Sequence, residues 1–147
     1  MANGVYNKGK EEIAKALTDL DGSTIKLLLV DSTYSFNADT LFVDNGGASD
    51  PLDKEITVSG YSRQTLTTKT VTRDDTNDFA YLDADDVVFT ALASGQTIGG
   101  AVLFRDSGAD TTSPNLAFYD LTDTATNGGN VTVQWATPAN GGVLKLA

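Results

Sequence analysis

The sequence predicts a mainly β fold: an antiparallel β-sandwich or distorted barrel of about eight strands with one N-terminal α-helix. Three observations carry that expectation. Helical spacing of apolar residues occurs only near the N-terminus. After Asp21 the apolar runs are short and parted by turns rich in Gly, Asp, Asn and Thr. Residues 131–135 alternate apolar and polar, as a half-covered strand requires. At 147 residues, 40% apolar and 20% charged, the chain reads as one domain, 1–147. Within it, 1–20 form an N-terminal arm and helix and 21–147 a β domain.

Gly4 to Leu20 form the expected helix. Val5 or Tyr6, Gly9, Ile13, Leu17 and Leu20 make one apolar stripe. Lys8–Glu12 and Glu11–Lys15 are i,i+4 pairs on the wet side, and Asp21-Gly22 closes the segment. Two readings are open: a helix packed on a sheet, or an arm docking on a neighbouring subunit. Thr24 to Val30 is a strand with apolar side chains on both faces, hence central and covered twice. Tyr34 to Asp44 is ambiguous, with Asn37 a candidate cap for a helical turn carrying Leu41 and Phe42. Asn45 to Pro51 is loop.

Short strands follow. Ile56 to Val58 is a candidate. Ser62 to Thr72 is rich in Thr, with Leu66 and Val71 of opposite parity, so a bulge or change of face is expected. Asp74 to Asp78 turns the chain into Phe79 to Leu82. Asp86 to Ala91, Ile98 to Arg105, Leu116 to Leu121 and Val131 to Ala136 come next. Gly141-Gly142 then turns into a last strand, Val143 to Leu146.

There is no histidine and no cysteine. Imidazole-based nucleophile pairs, His-ligated zinc, disulfides and thiolate chemistry are therefore excluded, and the expectation is a non-enzyme. Net charge is −10 and the pI about 4.1. Such a surface opposes binding to nucleic acid and to anionic membranes. The longest fully apolar run, Leu27 to Val30, is far short of the about 20 residues that span a bilayer. The N-terminal residues lack the apolar core of a signal peptide, so none is expected.

Asp74, Asp75, Asp78, Asp83, Asp85 and Asp86 form an acidic cluster. Solvated turn carboxylates are the favoured reading. A Ca²⁺ site built from Asp83, Asp85 or Asp86 is the alternative, although Phe79 and the missing Gly break the EF-hand pattern. No pair among the twenty acids stands out as a glycosidase dyad. Gly95-Gln-Thr-Ile-Gly99-Gly100 lacks the Lys-Ser/Thr of a phosphate loop and reads as a tight turn and small-residue packing site. Trp135, Tyr81, Phe89, Phe104 and Phe118 read as core. Asn130-Val-Thr132 is taken as a chance glycosylation triplet. No catalytic, cofactor or metal residue is assigned.

Several stretches occur together in one order. Met1-Ala-Asn-Gly-Val-Tyr-Asn-Lys-Gly-Lys10 leads to Asp21-Gly-Ser-Thr-Ile-Lys-Leu-Leu-Leu-Val30 and Tyr34-Ser-Phe36. Asp74-Asp-Thr-Asn-Asp78 and Leu82-Asp-Ala-Asp-Asp86 follow. Ala101-Val-Leu-Phe104, Asp106-Ser-Gly108, Ser113-Pro114 and Leu116-Ala-Phe-Tyr119 complete the series. Over residues 1–136 this order resembles a family of small virion structural proteins of tailed bacteriophages. The resemblance implies a capsid decoration, or cement, protein. Such a protein is made in the host cytoplasm and sits on the outer capsid surface of the virion. It works as a homo-oligomer, a trimer being favoured, and bridges copies of the phage major capsid protein. A tail, neck or fibre accessory protein is the alternative. A carbohydrate-binding or glycan-hydrolysing module is the second.

The candidate capsid or self contacts are Tyr6, Lys8 and Lys10 in the arm and Val143, Leu144 and Leu146 in the last strand, with the loop Asp44 to Lys54 as a further element. Packing on the chain's own domain is the competing reading for each. If the arm is adhesive, deleting Met1 to Lys10 weakens association more than it lowers monomer stability.

Overall fold

The computed structural model describes residues 3–147. Ten strands and one α-helix follow in order: β1 (Asn3–Val5), α1 (Asn7–Ala14), β2 (Ile25–Asp31), β3 (Gln64–Thr65), β4 (Thr70–Asp74), β5 (Phe79–Asp83), β6 (Val87–Phe89), β7 (Thr97–Arg105), β8 (Asn115–Ala125), β9 (Val131–Val133) and β10 (Leu144–Leu146). They form a five-stranded sheet ordered β1-β8-β7-β2-β3, a three-stranded sheet β10-β5-β4, and a two-stranded sheet β6-β9. All pairings are antiparallel. The arrangement is a sandwich and no closed barrel, since β1 and β3 are left as edges of the large sheet.

The double-sided apolar pattern of β2 explains the layering. Ile25, Leu27 and Leu29 point to an inner core shared with Leu82, Phe89, Val133 and Leu144 of the small sheets. Leu28 and Val30 point the other way, into a second core with Tyr6, Val43, Val102, Phe104 and Phe118. All five β2 side chains are fully buried, each stabilising the fold by about 1.5–3 kcal/mol. Tyr34 and Phe36, from the segment after β2, pack against the second core. The segment lies over the sheet as a lid, and Asn37 makes only a turn: its Oδ1 accepts the Asp39 N–H at 3.0 Å.

Gly99 sits where the β7 register shifts against both neighbours. A Cβ there would lie 2.5 Å from the Ser32 Cα, so close backbone approach demands glycine.

Several boundaries differ from expectation. The helix is Asn7–Ala14, not Gly4–Leu20, because residues 3–5 pair with β8 in register Asn3↔Tyr119 to Val5↔Ala117. It stops where Ala16 adopts φ 53°, so the apolar stripe ends early and Leu17 is 55% exposed. Glu12, expected on the wet side, is buried. Ile56–Val58 is not a strand; next to it, only Glu55 bridges Val30. Ser62–Thr72 splits into β3 and β4 at Thr68, φ 54°, and the expected change of face is a change of sheet. β8 is longer than expected, running to Ala125.

Candidate interaction surface

The arm and the last strand meet at one edge of the sandwich. Met1 and Ala2 of the expected arm lie outside the described residues. Gly4 and Val5, with Ala117 and Tyr119 of β8 behind them, face Val143 and Leu144 across a cleft of about 180 Å³. The Tyr119 hydroxyl donates to the Val143 carbonyl at 2.6 Å and ties the chain entering β10 to β8. Full burial pushes that phenol's pKa above its ordinary value.

The six candidate contact residues divide in two. Tyr6 is fully buried in the second core, its hydroxyl 2.6 Å from that of Tyr34 and its ring edge-on to Phe36. Desolvation there raises the Tyr6 pKa well above the usual phenol range. Val143 and Leu144 are also buried within the chain's own domain. Lys8 is largely covered, with Nζ 2.8 Å from Glu11 and 3.4 Å from Glu12. Lys10 is exposed, its Nζ donating to Asn7 Oδ1 at 3.3 Å. Leu146 is exposed and borders a shallow hollow of about 520 Å³ with Ile13, Leu20 and Val71. Because Tyr6 fills core and β1 completes a sheet edge, removing residues 1–10 would damage the monomer. This revises the expectation that deletion would chiefly affect association.

The cleft continues along β8. A second hollow, about 220 Å³, is lined by Tyr119, Leu121, Val133 and Trp135. A third, about 410 Å³, lies between Asp120–Thr122 and Thr132–Gln134. Trp135 is fixed at the joint. Its backbone N–H donates to Asp86 Oδ1 and its indole N–H to the Asp85 carbonyl, both at 2.9 Å. Its ring packs edge-on against Tyr119, with centroids 5.2 Å apart.

Several members of the acidic cluster have partners within the fold. Asp74 accepts from the Thr76 and Asn77 N–H groups and from Asn77 Nδ2, and the Asn77 side chain chiefly lowers its pKa. Asp85 accepts from the hydroxyls of Thr67 and Thr68. Among the described residues no three acidic side chains are placed to hold a metal ion. The loop 44–54 is stitched to itself: Asp50 accepts from the Asn45 N–H, Asn45 Nδ2 and the Gly47 N–H.

Two ionic clusters escaped sequence reasoning. Arg63 donates two bonds to Glu55 (2.6 and 2.7 Å) and two to Asp110 (2.6 and 3.0 Å), and its guanidinium lies 5.4 Å from the Phe104 ring centroid. The Glu55 and Asp110 carboxylates hold its pKa above the usual value. Glu12 accepts from Thr18 Oγ1 at 2.8 Å and from Arg105 Nη2 at 3.3 Å, pinning the chain after α1 to β7. Arg63 and Asp110 are 47 residues apart and Glu12 and Arg105 are 93 apart, so no local pattern announces those pairs. Comparison with family models, curated proteins and solved structures gives no match.

Proposed function

We propose that the chain is a non-enzymatic virion structural protein of a tailed bacteriophage, a capsid decoration protein that bridges major capsid proteins on the outer shell. The observation that carries this reading is the ordered series of motifs from Met1-Ala-Asn-Gly4 to Leu116-Ala-Phe-Tyr119. Physical arguments support it. The acidic chain is repelled by packaged DNA, which favours an outer position. Both faces of the large sheet are covered, which suits a scaffold that acts by contact. A cementing protein acts by several modest contacts engaged together, and an oligomer, a trimer in this reading, multiplies them through effective concentration. Lys10 and Leu146 are the expected contacts that remain at the surface.

The test is addition of the protein to expanded, undecorated capsids. Saturable binding with a higher capsid melting temperature is the expected result. Absence of binding would refute the decoration role and move the assignment to the tail. A glycan array should give no binding; a specific sugar hit would overturn the decoration reading in favour of a carbohydrate module.

A further inference from the structure

We propose that the outer edge of β4, Thr70–Asp74, pairs with the same edge of a second copy of this chain as an antiparallel two-fold ladder. β4 has β5 on one side and, among the described residues, no strand on the other. Its pairing with β5 runs from Thr70↔Asp83 to Asp74↔Phe79 without a shift of register, so the strand is regular. Alternate peptide groups of such an edge point outward. Among the described residues no loop backbone bonds to that of Thr70 to Arg73. Thr70, Val71, Thr72 and Arg73 are all exposed, although Leu82 beside them is buried. Joining two such edges would make one six-stranded sheet in the order β10-β5-β4-β4-β5-β10.

The side chains select the occupant and the register. A two-fold through Thr72 sets Thr72 against Thr72, Thr70 against Asp74 and Val71 against Arg73 of the other copy. A two-fold through Val71 would set Lys69 against Arg73, and one through Arg73 would set Arg73 against itself. Both put like charges opposite each other, which is destabilising, and the register through Thr72 does not. That register also gives Arg73 a seat. Val71 shares the inner face with its partner Leu82 and borders the hollow that holds Ile13, Leu20 and Leu146. Asp19 and Asp21 line the same hollow. The second copy's arginine would lay its stem over Val71 and carry its guanidinium to those carboxylates. In the single chain Arg73 pairs with Asp75 of its own turn at 2.6 Å. Both side chains are well exposed, so that pair holds the arginine weakly and leaves it available. The inference goes beyond the virion reading and does not depend on it; a trimer would present three such edges to neighbouring trimers.

A five-residue ladder is a modest interface, so pairing should be reversible and should rise with concentration. Sedimentation velocity of the unaltered chain should show a species of doubled mass that grows as the protein is concentrated. Arg73→Glu turns the incoming charge against Asp19 and Asp21 and should weaken that association about tenfold or more. The position is exposed, so the variant's thermal melt should match the parent's and serves as the folding control. Register is read by cross-linking. The chain has no cysteine, so an introduced thiol is the only one. At the two-fold the paired Thr72 Cα atoms would lie about 4.5–5.5 Å apart, within disulfide reach. Thr72→Cys should therefore cross-link to itself on mild oxidation much faster than Ser94→Cys, an exposed control. No doubled species up to about 1 mM would overturn the proposal, as it would if the edge served a foreign strand. Cross-linking of Thr72→Cys no faster than the control would exclude this register. Unchanged association of Arg73→Glu would exclude the seat for the arginine. The decoration role is read separately by capsid binding and stands or falls on that measurement alone.

Discussion

Replacing Arg63 with Ala should cost about 3 kcal/mol of folding stability. The change removes four charge-assisted hydrogen bonds in one step, two to Glu55 and two to Asp110. Glu55 is the residue harmed. Its side chain is only 10% exposed, and it would keep just the Tyr61 hydroxyl, which donates to it at 2.6 Å. Leaving one member of a buried pair alone costs about 3–5 kcal/mol. Asp110 is 31% exposed, so water replaces its lost partner, which places the figure at the lower end. For a chain of this size the melting temperature should fall by roughly 6–12 °C. Arg63→Lys keeps the charge but cannot fork onto two carboxylates, so it should recover only part of the loss. Urea unfolding of Arg63→Ala, Glu55→Gln and the double variant isolates the pair, with a coupling of about 1 kcal/mol or more expected. A loss below about 1 kcal/mol, or additive single effects, would refute the clamp as a structural element.

Gly9→Ala should destabilise although it raises helix propensity, because a Cβ would lie 2.6 Å from the Leu116 carbonyl oxygen. Overpacking costs about 1–3 kcal/mol against a propensity gain of about 1 kcal/mol, and a raised melting temperature would contradict it. Glu11 is bonded to Lys15 and Lys8, which lower its pKa from the ordinary 4.5 to about 2. A depressed folded value means its contribution is present above the unfolded pKa and lost as pH falls through the folded one, and salt should weaken it. An NMR titration placing Glu11 at the ordinary value would refute the pairing. Excess Ca²⁺ and EDTA should give equal melting midpoints, since Asp74, Asp85 and Asp86 already serve turns and Trp135; a rise with Ca²⁺ would restore the calcium site.

The core strands were legible where side-chain pattern and burial agree. β2 declared itself central because the run Leu27 to Val30 puts apolar side chains on both faces of one strand. β9 showed in the alternation of Val131, Val133 and Trp135, and the β4–β5 hairpin in its acidic turn. The helix misled because Val5, Leu17 and Leu20 share its spacing while lying outside it: Val5 pairs with β8 and the chain turns at Ala16. Thr68 was unreadable as a crossing between sheets, since left-handed geometry at a threonine has no sequence mark. Among the contact residues, hydrophobic character could not separate Tyr6 and Leu144, which are inside, from Leu146, which is outside. That choice depends on what the fold places opposite each.

The strand order of the large sheet has a kinetic consequence. β1 pairs with residues that lie more than a hundred positions later in the chain, and β2 with β7. At ribosomal speeds of about 5–20 residues per second, β1 would wait roughly 6–20 s for its neighbour to emerge. For most of that interval β2 lacks its partner β7, and Leu28 and Val30 lack Val102, Phe104 and Phe118. Such a nascent chain is a natural client for a holding chaperone, and it should refold slowly in vitro and closure should come late, as a single cooperative event.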